Sequence, residues 1–153
     1  MLRLNRIAQT FSSAKYTPGN AVYIVAAKRT PIAAFMGKLS NLQAPEIAGA
    51  AIKGALDSIN LNPKEVEECI LGNVLSSGIG QAPARQASLK GGLSIDTPCT
   101  TINKVCSSGM KSVVFGSQSI ALGHVDCVMT GGFESMSNAP FLLNTVLFHY
   151  NKS

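Results

Sequence analysis

One cysteine of this chain stands where a reactive nucleophile is expected. Cys106 lies between a β-branched run that ends near Asn103 and a helical pattern that starts at Ser107. A helix N-terminus presents unpaired N–H groups and roughly half a positive charge, and both favour a thiolate over a thiol. The same N–H groups can stabilise the oxyanion that forms when a carbonyl carbon is attacked. The position therefore predicts acyl transfer through the sulfur of Cys106.

The other three cysteines are interpreted as structural. Cys69, Cys99 and Cys127 fall inside predicted strands, where a free cysteine usually behaves as a small buried hydrophobic residue. The same structural interpretation is the alternative for Cys106. The chain contains no C-x-x-C pair, so the spacing predicts neither a disulfide framework nor a zinc site, and no metal is expected.

A base that could activate Cys106 is missing from the sequence pattern, although acyl-transfer cysteines usually need one. The two histidines are His124 and His149. His124 follows the predicted helix and should lie about 25 Å from Cys106 at 1.5 Å per residue. It is therefore interpreted as a helix-end residue. His149 falls in a terminal segment that fits the rest of the chain poorly, so neither histidine is assigned as the base.

The elements that must position Cys106 alternate between strands and helices. We expect strands at residues 22–26, 69–74, 98–103 and 125–131, and helices at residues 45–60, 84–90 and 107–122. This order predicts an α/β domain with a mostly parallel sheet and helices on both faces. The helix after Cys106 carries a single charge beyond its start, Lys111. A helix without a wide polar face is typical of a buried position, so we expect it to run through the centre of the molecule.

The first twenty residues differ in composition from the rest. They carry Arg3, Arg6 and Lys15, and no acidic residue precedes Glu46. With apolar residues on one helical face, residues 1–20 are predicted to be a mitochondrial transit peptide; the alternative is a basic terminus without regular structure. Excluding them leaves ten basic against eight acidic residues, so the net charge of +5 does not indicate nucleic acid binding. No apolar run is long enough to span a bilayer, so no membrane partner is expected.

Four segments of the chain, in order, resemble conserved blocks of the thiolase family. The block around Cys106 is similar to the family's acyl-accepting cysteine signature, and it particularly resembles the acetyl-CoA acetyltransferase branch. The resemblance implies a thiolase-like fold made of two similar α/β halves, of which residues 21–143 supply the N-terminal one. The four segments are AAKRTPIAAFMGKLS, GNVLSSGIGQAPARQASL, PCTTINKVCSSGMKS and TGGFESMSNAP.

The resemblance also implies an activity. Cys106 matches the cysteine that takes an acetyl group from acetyl-CoA or acetoacetyl-CoA as a thioester, and its backbone N–H matches one oxyanion donor. The acetyl group then passes to a second acetyl-CoA or to CoA. The family binds no cofactor covalently, uses coenzyme A thioesters as substrates, and forms homodimers or homotetramers. For a chain with a transit peptide, the mitochondrial matrix is the expected location.

The chain departs from the family in its last residues. The family's second half carries a histidine in a G-H-P motif and a cysteine in a C-x-G-G-G motif, and neither motif occurs here. Residues 144–153 do not resemble the family and are expected to be a non-family tail. We therefore expect this chain to be inactive alone and to expose apolar surface that the second half would cover. The alternative is a non-catalytic isoform that binds full-length thiolase subunits; a ketoacyl synthase fits the blocks less well.

Overall fold

The computed structural model describes residues 21–142, and six main elements alternate along them. The predicted transit peptide, the predicted tail and His149 lie outside the described residues. Two 3₁₀ turns, Pro63–Glu65 and Met136–Asn138, accompany the main elements. The order confirms the predicted alternation of strands and helices. In chain order the elements are α1 (Ala44–Ile59), β1 (Glu68–Gly72), α2 (Pro83–Lys90), β2 (Cys99–Ile102), α3 (Ser108–Ala121) and β3 (Val128–Gly132).

The three strands form one parallel sheet in the order β2–β1–β3. In the register of the sheet, Cys69 of β1 lies opposite Cys99 of β2 and Met129 of β3. Because all three strands run the same way, their carboxyl ends meet at one edge. The chain leaves that edge from β2 toward Cys106, from β1 toward Asn73 and from β3 toward Phe133.

Helices cover both faces of this sheet, as predicted. Alternate side chains of β1 point to opposite faces: Cys69 and Leu71 join a core with residues of α1 and α2, while Gly72 faces α3. The backbone approach at Gly72 is so close that an added Cβ would lie 2.6 Å from the amide nitrogen of Gly109. The α1–α2 side is the apolar core, formed by Ala44, Ala48, Ile52, Leu56, Val66, Cys69, Leu71, Ala84, Ala87, Leu93 and Phe133.

Local chemistry explains where α1 begins and ends. Pro45 occupies the first turn, where the N–H that it lacks has no intrahelical partner. The backbone N–H of Gln43 donates to the Glu46 carboxylate at 2.8 Å, and this bond holds the pKa of Glu46 below its usual range. Asn60 ends the helix in the left-handed region at φ 52°. After α1, the Asn62 side chain accepts from Lys64 N at 3.1 Å and caps the 3₁₀ turn Pro63–Glu65.

The predicted strand at residues 22–26 is wrong. The segment has no regular secondary structure, and Tyr23 and Ile24 are each 77% exposed. It lines a groove of about 280 Å³ beside β3, between the end of α1 and the middle of α3. The β-branched composition is typical of a strand, but a strand also needs a ladder of hydrogen bonds to a neighbour. The structure gives this segment no such ladder.

The helix α3, predicted as the central buried helix of the fold, is buried on one face within the described residues. Only small residues on one face, Ser108, Ser112 and Gly116, are buried, and they allow the helix backbone to approach the sheet closely. The opposite face remains exposed within the described residues, which agrees with the expectation of uncovered apolar surface. The exposed apolar residues of α3 are Met110, Val113, Val114 and Phe115, with exposed fractions of 72%, 39%, 37% and 37%.

We expect this exposed apolar face of α3 to make the chain self-associate. Contiguous exposed apolar surface favours association in water. Replacing both Val113 and Val114 with lysine should weaken self-association by about tenfold, or ~1.4 kcal/mol, in sedimentation velocity measured across a concentration series. Leu89→Lys, at an exposed apolar residue of α2, is the matched control and should change little. A wild-type chain that stays monomeric at every concentration would contradict the expectation.

The core cysteine of β1 should make stability depend on alkaline pH. Burial, together with the neighbouring Cys99 thiol, raises the pKa of Cys69 far above its usual range. In the unfolded chain the thiol loses its proton near pH 8.5, while the folded state keeps it. The stabilisation is therefore complete below about pH 8.5 and is lost as the pH rises further, by up to about 1.4 kcal/mol per pH unit.

Urea unfolding at about pH 7.5 and 9.5 measures this loss directly. Cys69→Ala should reduce the fall in the free energy of unfolding between the two pH values, because the thiol with the larger shift is gone, while Cys127, whose pKa is also raised by burial, still contributes. Cys106→Ala removes an exposed thiol and serves as the control, with the fall retained. An equal fall in the wild type and in Cys69→Ala would show that another group is responsible.

Candidate active site

Cys106 lies at the junction between β2 and α3, as the sequence predicted. It follows the end of β2 by four residues and precedes the first residue of α3 by two, with Ser107 as the N-cap. The thiol is exposed. The amides of Ser107 and Ser108 donate to the Lys104 and Val105 carbonyls, at 3.2 and 3.0 Å, so the N-terminus of α3 offers this sulfur the positive end of the helix dipole and the amides that follow Ser108. The junction therefore places the sulfur at a helix N-terminus, where an oxyanion formed on a bound carbonyl can be stabilised.

The Cys106 thiol opens onto a cleft of about 770 Å³. One wall is the segment of residues 28–35, and another is the first half of α1. The floor is formed by the carboxyl ends of β1 and β3 with the start of α3. In open α/β sheets, ligands bind outside the carboxyl ends of the strands. The cleft thus places an exposed nucleophile where a substrate of this fold class would bind.

The residue before Cys106 has an unusual backbone conformation. Val105 has a φ of 52°, in the left-handed region that a β-branched residue rarely adopts. Such a residue costs of order 1–3 kcal/mol and persists only where its surroundings hold it. The strain sits at the turn that delivers the sulfur to the cleft. No feature of the sequence pattern predicts it.

A carboxylate that sequence reasoning missed ties two strand ends together at the cleft. Glu134 follows β3, and its side chain accepts three hydrogen bonds from residues that follow β1. The donors are Asn73 Nδ2 at 2.8 Å, Val74 N at 3.0 Å and Leu75 N at 2.9 Å. This clamp holds the residues that follow β1 in place against the residue Glu134 that follows β3. Its only sequence signal was its place in the TGGFESMSNAP segment.

The 3₁₀ turn Met136–Asn138 holds another segment near the cleft in place, the loop at residues 36–42. Asn138 Nδ2 donates to the carbonyl oxygens of Ser40 and Leu42, at 3.0 and 2.8 Å. The Met36 amide in turn donates to Ser137 Oγ at 2.9 Å. The loop at residues 36–42 is thereby held against the end of β3, although about one hundred residues separate the partners.

Positive side chains lie around the cleft. Lys28 and Arg29 line the cleft. Lys111, one turn into α3, does not line it, and its ammonium lies 4.3 Å from the centre of the Phe115 ring. The Glu134 carboxylate on the same cleft is engaged by its three donors. The basic side chains of the cleft therefore suit an anionic ligand.

The structure does not bring a histidine to Cys106. His124 follows the C-terminal end of α3, where its backbone N–H donates to the Ser119 carbonyl at 3.0 Å. The 14 residues of α3 separate the two ends by about 21 Å. This confirms that His124 is a helix-end residue. His124 is the only histidine between residues 21 and 142, so the described part of the chain supplies no imidazole base.

Neither a metal centre nor a membrane span is present among the same residues. Between residues 21 and 142, no three or more histidine, cysteine, aspartate or glutamate side chains are grouped so that they could hold a metal ion. None of the helices described there is long and apolar enough to cross a membrane.

Sequence comparison assigns the family. The family described as "Thiolase, N-terminal domain" matches residues 22–152. This chain belongs to the thiolase family. Its α/β fold agrees with a crystal structure of a thiolase from Ascaris suum in complex with coenzyme A. That chain is 43% identical, with a TM-score of 0.79 over 84% of this chain and 34% of the other.

Two curated thiolases show the closeness and the extent of the match. The mitochondrial acetyl-CoA acetyltransferase of Bos taurus is 53% identical over 125 residues, which cover 82% of this chain and 30% of the relative. The protein of the same name from Homo sapiens is 54% identical over 123 residues, covering 80% of this chain and 29% of the relative. This thiolase N-terminal domain therefore spans about a third of the length of the relatives that it matches.

Proposed function

We propose that this chain is the N-terminal, acyl-accepting part of a thiolase that transfers acetyl groups between coenzyme A thioesters. The observation that carries the proposal is an exposed cysteine at the start of a helix, in a cleft at the carboxyl ends of a parallel sheet, within a thiolase-family chain. The substrates are acetyl-CoA and acetoacetyl-CoA, and the two directions are synthesis and cleavage of acetoacetyl-CoA. No covalently bound cofactor takes part.

The first step is a transthioesterification at Cys106. The thiolate of Cys106 attacks the carbonyl carbon of the acyl thioester, and the resulting oxyanion is stabilised by backbone N–H groups near the start of α3. A new C–S bond forms, the bond to the coenzyme A sulfur breaks, and coenzyme A leaves as a thiolate that takes up a proton.

The second step needs groups that residues 21–142 do not supply. Joining two acetyl units requires a base that removes a proton from the α-carbon of the second acetyl-CoA. The only described histidine lies at the far end of α3. We infer that the base and most contacts to coenzyme A come from sequence corresponding to the remaining two thirds of the relatives. The complete enzyme is proposed to be a homodimer or homotetramer.

The proposed location is the mitochondrial matrix. The similar proteins of Bos taurus and Homo sapiens carry the word mitochondrial in their names. The basic, acid-free composition of residues 1–20 supports the same compartment. Fusing residues 1–20 to a fluorescent protein tests the leader: the fusion should enter mitochondria, and a fusion that stays in the cytosol would contradict the proposal.

Incubating the purified chain with acetyl-CoA tests the acyl-accepting function. Mass spectrometry should find one acetyl group per chain, on the peptide that contains Cys106. In the same sample, turnover of acetoacetyl-CoA with CoA should remain near the uncatalysed rate, since residues 21–142 supply no imidazole base. Failure to acetylate Cys106 would overturn the proposal, and full turnover would overturn the assignment of the base to another segment.

A second candidate function is supported by the exposed apolar face of α3. A chain with this face uncovered could bind full-length thiolase subunits without catalysing anything itself. Mixing the tagged chain with the Bos taurus enzyme and recovering the tag distinguishes the two. Co-recovery that is lost in the Val113→Lys, Val114→Lys double variant would support the binding role. Recovery of the tagged chain without the Bos taurus enzyme would exclude the binding role.

A further inference from the structure

A buried serine holds the backbone that leads to Cys106. Ser108 is the first residue of α3 and only 4% exposed. Its hydroxyl accepts a hydrogen bond from Lys104 N at 2.8 Å and donates one to the Val105 carbonyl at 2.6 Å. The Ser108 backbone N–H also donates to the same Val105 carbonyl, at 3.0 Å. One residue thus bonds to the two residues that immediately precede Cys106.

A second side chain completes this arrangement. Asn103 Oδ1 accepts a hydrogen bond from Val105 N at 2.9 Å. The N–H and the carbonyl of Val105 are therefore both bonded, one to the side chain of Asn103 and the other to Ser108. Asn103 is exposed, so this bond does not contribute to the core.

The bonds matter because Val105 does not favour the conformation that it adopts. Its φ of 52° is a left-handed value, and a free β-branched residue relaxes to negative φ. Its side chain is 64% exposed, so packing of that side chain does little to hold the turn. If the hydrogen bonds were lost, rotation at Val105 would swing Cys106 away from the start of α3.

We propose that Ser108 is a positioning residue for Cys106, with Asn103 as its exposed partner. Ser108 acts through the backbone of Lys104 and Val105, and it keeps the Cys106 sulfur beside the first amides of α3. The inference rests on the proposed acyl-accepting function of Cys106. Misplacement of a reacting group by about 1 Å can cost as much as a hundredfold in rate, so loss of the hydroxyl should be visible in the reactivity of Cys106.

The same helix offers a matched control. Ser112 is fully buried one turn later. Its hydroxyl lies 2.7 Å from the carbonyl oxygens of Gly109 and Gly131 and accepts from Gly131 N at 3.0 Å. Ser112→Ala therefore removes a comparable buried hydroxyl that bonds α3 to β3 but does not touch residues 103–106.

The test measures two quantities for each variant of the full chain. One is the rate at which iodoacetamide alkylates Cys106, read by peptide mass spectrometry, and the other is the urea midpoint of unfolding. Ser108→Ala should slow alkylation by about tenfold, while Ser112→Ala lowers the urea midpoint but stays within about twofold of the wild-type rate. Ser108→Thr keeps the hydroxyl and should restore most of the rate. Wild-type reactivity in Ser108→Ala, or equal slowing in Ser112→Ala, would overturn the inference.

Variants of the exposed partner, Asn103, provide the test if a Ser108 variant does not fold. Asn103→Ala should slow alkylation by several-fold without moving the urea midpoint, and Asn103→Ser, whose hydroxyl can accept in a similar turn, should recover part of it. An unchanged rate in Asn103→Ala would count against the inference. Acetylation by acetyl-CoA is measured in parallel: alkylation that depends on Ser108 without any acetylation would leave the positioning role intact and overturn only the proposed function.

Discussion

Cys106→Ala is expected to abolish acetylation of the chain by acetyl-CoA, down to the level of uncatalysed modification. The other three thiols cannot replace it. Cys69 is fully buried, burial raises the pKa of both Cys69 and Cys127 above the usual range, and Cys99 is only partly exposed. The neutral thiol is a poor nucleophile. Intact-mass analysis after incubation measures the loss.

Cys127→Ala is the matched control, because it removes a partly exposed thiol that lies in neither the cleft lining nor the turn before α3. It should be acetylated at the wild-type rate. If Cys106→Ala instead kept most of its acetylation, another residue would have to carry the acetyl group. The assignment of Cys106 as the nucleophile would then be wrong.

Gly72→Ala is expected to destabilise the domain strongly, although it adds only one methyl group. The added Cβ would lie 2.6 Å from both the Gly109 nitrogen and the Ser108 Cβ. The helix backbone cannot move without displacing the turn at Cys106. Overpacking of this kind typically costs about 1–3 kcal/mol, and contact with backbone atoms should place it at about 3 kcal/mol or more. The free energy of unfolding in urea gives the value directly.

Gly131→Ala provides the control at the end of the neighbouring strand. There the nearest atom to an added Cβ is Leu71 Cδ2, at 3.6 Å, which is an ordinary packing distance. The change in stability should stay within about 1 kcal/mol. Equal destabilisation by the two alanines would mean that the close approach of α3 to β1 is not the cause. Measuring acetylation of Gly72→Ala under folding conditions would also show whether Cys106 depends on this contact.

Much of the fold could be predicted because each correct element carries its own local signal. The apolar periodicity after Pro45 predicts α1, and the Gly91–Gly92 pair ends α2 at Lys90. Two differences from expectation share one physical reason. The segment at residues 22–26 has the composition of a strand but no hydrogen-bonded neighbour, and α3 has the composition of a buried helix but one uncovered face. Composition reports what an element could bury, whereas the observed burial depends on which partners are present.

The candidate site was predictable only at its nucleophile. Cys106 could be found because a strand followed by a helix is visible along the chain. The Glu134 clamp joins residues about sixty positions apart, and nothing local pairs them. The left-handed conformation of Val105 is equally hidden, since valine is among the residues least suited to it. Supporting residues such as Ser108 become recognisable only when their hydrogen bonds are known.

Activation of Cys106 by the fold can be tested by comparing the reactivity of the four thiols toward an acetyl thioester in the folded chain and in urea, using peptide mass spectrometry. In the folded chain, Cys106 should take nearly all of the label. In urea, where α3 and its N-terminal amides are lost, its rate should fall by about tenfold or more, to that of an ordinary cysteine. A Cys106 that reacts equally fast in both states, or a folded chain labelled mainly at another cysteine, would show that the fold does not activate this sulfur.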